Sequence, residues 1–79
     1  MKQNKDKNAP LPEWFNASIL EEEVIINESS GNEVYCDSHA TSMYYLILGA
    51  KTLEFNELMN DGLDWFKENY PKEYKILLK

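Results

Sequence analysis

One stretch of this chain, E-V-Y-C-D-S-H-A-T-S-M-Y-Y over residues 33–45, holds the only cysteine and the only histidine. Cys36 and His39 stand three apart with Asp37 between them. Those types could make a thiolate nucleophile with an imidazole base, or part of a metal site. A nucleophile needs its base within hydrogen-bond reach and, as a rule, a third group to orient that base. A helix N-terminus beside the thiol would help by lowering its pKa. Structural zinc, however, takes four ligands, and one Cys, one His and one Asp do not supply them. The flanking pattern also argues for a junction. Val34 and Cys36 alternate with Glu33 and Tyr35 as in a strand, which puts Cys36 on the inward side as a small buried hydrophobe. Asp37 or Ser38 then suits the cap of a helix, with His39 in its first turn. No catalytic residue, cofactor or metal is expected.

A second set of acids, Glu57, Asp61, Asp64 and Glu68, is spaced by 4, 3 and 4. At ~100° per residue these fall on one narrow arc opposite the apolar positions, as on the solvated face of a helix. The third set differs in kind. Residues 9–37 hold Glu13, Glu21, Glu22, Glu23, Glu28, Glu33 and Asp37 and no lysine, a local charge of −7, in a chain whose net charge is −6. Uncompensated acids on one small segment repel one another and cost stability. Complementary charge, in turn, speeds association and rejects wrong partners. Surface acids ordinarily serve solubility; in the binding reading the expected partner-binding residues are Glu21, Glu22, Glu23, Glu28, Glu33 and Asp37, standing where phosphates would lie in the basic groove of a partner such as a nucleic-acid enzyme. The chain has no Arg at all, and Arg is the usual bidentate reader of phosphates and guanines. Direct nucleic-acid binding, which rests on cationic contacts to phosphates, is not expected.

The elements that must position these residues form a single small α+β domain. Residues 1–9 are polar without periodicity and read as a disordered tail, leaving 10–79 for the domain. In P-L-P-E-W-F, the prolines favour an extended approach and Trp14-Phe15 an anchor on the core. Residues 22–36 read as a β-hairpin: E-E-V-I-I-N and E-V-Y-C have strand composition, and E-S-S-G-N between them suits positive φ at Gly31-Asn32. Met43, Ile47 and Ala50 follow i, i+4, i+7 and predict a helix over about 39–54. A break is expected near Phe55-Asn56, with Asn56 as the cap. The next helix runs to about Asn69, with Phe55, Leu58, Met59, Gly62, Phe66 and Tyr70 inward. Pro71 ends it and can open a short last helix.

At 79 residues the chain makes one domain, and a domain of this size buries only about 60% of its unfolded surface. One Cys allows no internal disulfide. Two Trp, three Phe and five Tyr supply the core instead, since each buries roughly 150–250 Å². Self-association is the other way to gain buried surface, so a homodimer stays among the expectations. The lone Cys fits a reducing compartment. The N-terminus lacks the apolar core of a signal peptide, and no apolar run approaches the ~20 residues that span a membrane. A cytoplasmic protein with no membrane partner is expected.

Leu11, Pro12, Trp14, Phe15, Ser30, Gly31, Ser42, Met43, Tyr44, Gly62 to Phe66, Asn69, Pro71, Tyr74, Leu77 and Leu78 together form L-P-x-W-F, S-G, S-M-Y, G-L-D-W-F, N-x-P and Y-x-x-L-L. Over most of residues 11–78 this pattern resembles a group of small phage and mobile-element proteins. The chain departs from the group by being shorter between its two main helices, and Tyr70 intervenes in N-Y-P. No activity is assigned to the group, so no functional residue carries over. The resemblance implies an origin in bacterial viruses or mobile elements and a place in the bacterial host cell. Small acidic proteins of that origin include inhibitors of host nucleic-acid enzymes, anti-CRISPR proteins among them. Two functions are consistent with this: a non-enzymatic inhibitor of a CRISPR effector or similar enzyme, or a small self-associating structural or assembly protein of a phage.

Overall fold

The computed structural model describes residues 8–79. Of the expected tail, residues 1–7 lie outside the described residues. Asn8 and Ala9 do not continue it: both are hydrogen-bonded to the domain, and Ala9 is buried. An N-terminal two-stranded antiparallel hairpin is followed by three helices, an α+β fold. The strands are β1 (Glu23–Ile26) and β2 (Glu33–Cys36); the helices are α1 (Ser38–Thr52), α2 (Asn56–Asn69) and α3 (Pro71–Leu77).

The hairpin register pairs Glu23 with Cys36, Val24 with Tyr35, Ile25 with Val34 and Ile26 with Glu33. Ile25 and Cys36 face the core and are buried, whereas Val24 and Ile26 lie on the other face at 52% and 51% exposure. The loop is built on Asn27. Its N–H donates to the Asn32 carbonyl (2.7 Å), and its own carbonyl accepts from Ser30 N (3.2 Å) and Gly31 N (2.7 Å). Its side-chain oxygen accepts from Ser29 N (2.9 Å), and its amide donates to the Ile76 carbonyl of α3 (2.8 Å). Gly31 supplies the left-handed residue, φ 81°.

Helix α1 buries Ala40, Met43, Ile47 and Ala50 along the stripe that the spacing predicts. It crosses α2 at Gly62, where an added Cβ would stand 2.7 Å from Ile47 Cγ1. The two helix axes approach at this point because the side chain is missing. Phe66 and Tyr70 complete the core from α2 and its end, with ring centroids 5.6 Å apart.

The break between α1 and α2 lies where it is expected, but its cause differs. Asn56 does not cap α2: it is the first helical residue, and Phe55 at the N-cap offers no side-chain bond. The turn is made at the end of α1 instead. Glu54 adopts φ 62°, Glu54 N–H donates to the Lys51 carbonyl (3.2 Å), and Phe55 N–H donates to the Ala50 carbonyl (2.8 Å). This is a Schellman closure with glutamate in the position that glycine usually fills. It turns Phe55 outward, so that Phe55 is 55% exposed rather than inward. Pro71 is the first residue of α3, as expected from its fixed φ and missing donor.

Candidate functional site

The C-D-S-H stretch is the junction of β2 and α1, and each of its residues is committed to the fold. Cys36 is fully buried in the core. Burial, and after it the carboxylates of Glu73, Asp37 and Glu23, push its thiol from 9.0 up to about 12. A thiol held so far toward its neutral form is a poor nucleophile at neutral pH. His39 is not turned toward it as a base: His39 Nδ1 lies 2.8 Å from the Ala9 carbonyl. A carbonyl accepts only, so Nδ1 carries the proton and donates it.

Asp37 caps α1, its Oδ1 accepting from Ala40 N–H at 2.9 Å. The Asn8 N–H donates to its Oδ2 at 2.6 Å, and the Tyr70 hydroxyl lies 3.0 Å from both oxygens. The hydroxyl donates to the carboxylate and accepts from the Ala9 N–H at 2.9 Å. Burial, with the carboxylate beside it, holds the Tyr70 phenol well above its usual range. The Asn8 side chain closes the ring by accepting from His39 N–H at 3.2 Å.

This geometry removes Asp37 from the acidic surface to which it is assigned above. At 2% exposure it meets no partner. Its charge is spent on donors from three places in the chain: the N-terminal segment, α1 and the α2–α3 junction.

The other five acids are where a partner can reach them. Glu21, Glu22, Glu23 and Glu28 are exposed along β1 and its two flanks, and Glu33 is exposed at the start of β2. Glu23 is partly engaged, since the Tyr45 hydroxyl of α1 donates to its carboxylate at 3.1–3.2 Å. Two serines position this row: Ser38, expected as an alternative cap, and Ser42. Ser42 Oγ accepts from Leu20 N–H (2.7 Å) and Ser38 Oγ donates to the Leu20 carbonyl (2.6 Å). Ser38 and Ser42 sit one turn apart on α1. Together they take up both backbone groups of Leu20 and fix the direction in which Glu21 to Glu23 leave the helix. The S-x-x-x-S spacing is the only signal of this in the sequence, and many solvated helices carry it.

The remaining candidates divide plainly. Glu57, Asp61, Asp64 and Glu68 are all exposed on α2. Among the described residues, no group of three or more His, Cys, Asp or Glu is placed to hold a metal ion. Trp-Phe occurs twice in the chain, at 14–15 and 65–66; Phe66 is core, and Trp65 is half-buried with its Nε1 donating to the Pro10 carbonyl at 3.1 Å. Phe15 packs against the core, while Trp14 is 37% exposed.

A groove of about 730 Å³ lies beside β1, bounded by Glu23, Val24 and Ile26 on one side and by Tyr45, Leu48 and Lys51 of α1 on the other. No helix among the described residues is long and apolar enough to cross a membrane. No family model, curated protein or solved structure matches this chain.

Proposed function

We propose that this is a non-enzymatic binding protein of phage or mobile-element type. It sets the exposed acids of its hairpin against the basic nucleic-acid groove of a host enzyme, a CRISPR effector among them, and so inhibits it. The observation that carries the reading is the arrangement of Glu21, Glu22, Glu23, Glu28 and Glu33. All five are exposed around one hairpin, and no lysine lies between Lys7 and Lys51 in the sequence. Acids held on a rigid hairpin present charge at fixed spacing, as a phosphate backbone does. Such a surface speeds encounter with a cationic groove. The commitment of Cys36, Asp37 and His39 to the fold agrees with a binding role.

The test is competition. The purified protein is titrated into a CRISPR effector holding a labelled guide or target. The expected result is displacement by the wild type and at least a tenfold weaker effect from the triple variant Glu21→Lys, Glu22→Lys, Glu23→Lys. Displacement of equal strength by the two proteins sinks the acidic-surface mechanism.

A second reading, a self-associating structural or assembly protein of a phage, is favoured by the exposed apolar side chains Val24, Ile26, Leu53 and Phe55. The mass in solution separates the two readings. The inhibitor reading expects a monomer at micromolar concentration, and the assembly reading a concentration-dependent oligomer.

A further inference from the structure

Among the described residues β1 is an edge strand, since the sheet there has two strands and β2 is the one packed against α3 and α1. The register and the Asn27 N–H to Asn32 carbonyl bond fix which of its backbone groups are used. In an antiparallel ladder, hydrogen-bonded and non-hydrogen-bonded pairs alternate. Asn27–Asn32 is a bonded pair, so Ile25–Val34 and Glu23–Cys36 are bonded, while Val24–Tyr35 and Ile26–Glu33 are not. The N–H and C=O of Val24 and of Ile26 therefore point away from β2, into the open groove beside α1.

Folded proteins usually blunt such an edge with a proline, a bulge or a covering loop. Among the described residues β1 has none of these three; its protection is its length of four residues and the charge of Glu23 at its start. Its outer face instead presents the half-exposed Val24 and Ile26, and Tyr45 and Leu48 stand on the far wall of the groove.

We infer that the open edge of β1 is a docking site for an extended segment of a basic partner protein, which joins the sheet as a third strand over α1. The inference rests on the acidic-surface reading for the sign of the partner's charge. Charge complementarity selects the occupant. Glu21 and Glu22 flank one end of β1, Glu28 the other, and Glu23 faces the groove, against Lys51, the one cation among the described residues that line it. The matching segment has two or three apolar residues at its centre, which lie beside Val24 and Ile26, and Lys or Arg at both ends. Backbone bonds to Val24 and Ile26 give affinity, and the flanking charges give selectivity.

A second copy of this chain fits the edge worse. One two-fold pairing of β1 with itself, Val24 opposite Ile26, places Glu22 opposite Glu28 at both ends; the pairings centred on Val24 or on Ile26 avoid that but set Glu22 against Ile26 or Glu28 against Val24. Like charges directly opposed destabilise a ladder, and each copy carries a net charge of −6.

The probe is the peptide acetyl-Lys-Lys-Val-Thr-Val-Lys-Lys-amide, with two controls: its Glu-for-Lys counterpart, and a version with proline for the central threonine. The readout is hydrogen exchange at single amides, followed by NMR. The expected result is at least tenfold slower exchange at Val24 and Ile26 with the basic peptide and no change with either control. Val24→Pro, which removes one outward N–H, should lose the effect, while Val24→Ala keeps it. An unreactive Cys36 thiol reports that each variant is folded.

Binding of the basic peptide without protection at Val24 and Ile26 overturns the edge site while leaving the acidic-surface reading standing. Equal protection by the acidic peptide overturns the basic occupant, and with it the charge argument. Protection that grows with protein concentration in the absence of peptide shows that a second copy fills the edge, and overturns the proposal. So does the absence of any response at millimolar peptide.

Discussion

At the scale of residues, Asp37 is the side chain on which most depends. It is a buried carboxylate, and what makes burial tolerable is that donors surround it: Ala40 N–H, Asn8 N–H and the Tyr70 hydroxyl. Replacing it with alanine removes the cap of α1 and takes away the acceptor shared by the buried Ala40 N–H, the buried Tyr70 hydroxyl and the part-buried Asn8 N–H. Lost caps cost about 1 kcal/mol, and each buried orphan about 1–3 kcal/mol. Asp37→Ala should therefore lose roughly 3 kcal/mol or more in urea unfolding. Asp37→Asn, which keeps one oxygen for the cap but turns an NH₂ toward a second donor, should lose less. Cys36 gives a prediction in pH. Its thiol stays protonated in the fold until about pH 12, against 9.0 for the unperturbed group. Between those values the unfolded chain releases a proton that the folded chain retains. Stability therefore falls as pH rises through that window, by up to about 1.4 kcal/mol per pH unit, and is unaffected by this group below pH 9. The buried Tyr70 phenol acts with the same sign above its usual range. A disulfide-exchange reagent at pH 8 should find Cys36 unreactive in the native protein and stoichiometrically reactive in denaturant. Fast native reaction would contradict the burial.

At the scale of elements, the parts written in local pattern were legible in the sequence. The hairpin follows from strand composition around E-S-S-G-N, α1 from Met43, Ile47 and Ala50, and the start of α3 from Pro71. What escaped was decided by partners far along the chain. Nothing local to Asn8 or Ala9 announces that they bond to Asp37 and Tyr70, 29 and 61 residues away. Nothing local to Asp37 distinguishes a buried cap from one more surface acid. Leu20 is held in the same non-local way by Ser38 and Ser42. The turn after α1 escaped for a different reason, because glutamate occupies a left-handed position where sequence reading looks for glycine. A non-glycine residue there costs roughly 1–2 kcal/mol. Glu54→Gly should raise stability by about 1 kcal/mol, with an unchanged fold by circular dichroism. Gly62 works in the opposite sense. Alanine there improves helix propensity, but its Cβ meets Ile47 Cγ1 at 2.7 Å. Overpacking of this kind costs about 1–3 kcal/mol, more than the gain of about 1 kcal/mol. Gly62→Ala should thus destabilise, and restoring room with the double variant Gly62→Ala, Ile47→Val should recover part of the loss.

At the scale of the whole molecule, holding the fold together and presenting the hairpin's charge fall to different residues. The aromatic core, with Phe66 and Tyr70 at its centre, and the Asn8–Asp37–Tyr70 ring hold the domain together without a disulfide. The hairpin is left to carry five exposed glutamates and an open strand edge. Acids that were merely solubilising would leave partner association indifferent to salt. Acids that steer a partner make association fast at low ionic strength and slow as the Debye length shrinks from ~30 Å at 0.01 M to ~8 Å at 0.15 M. The most direct measurement is the association rate of the protein with a CRISPR effector, by stopped flow, across that range of salt. The account predicts a rate that falls at least tenfold for the wild type, and one that is low and nearly flat for Glu21→Lys, Glu22→Lys, Glu23→Lys. A rate that ignores both salt and the charge reversal would contradict it.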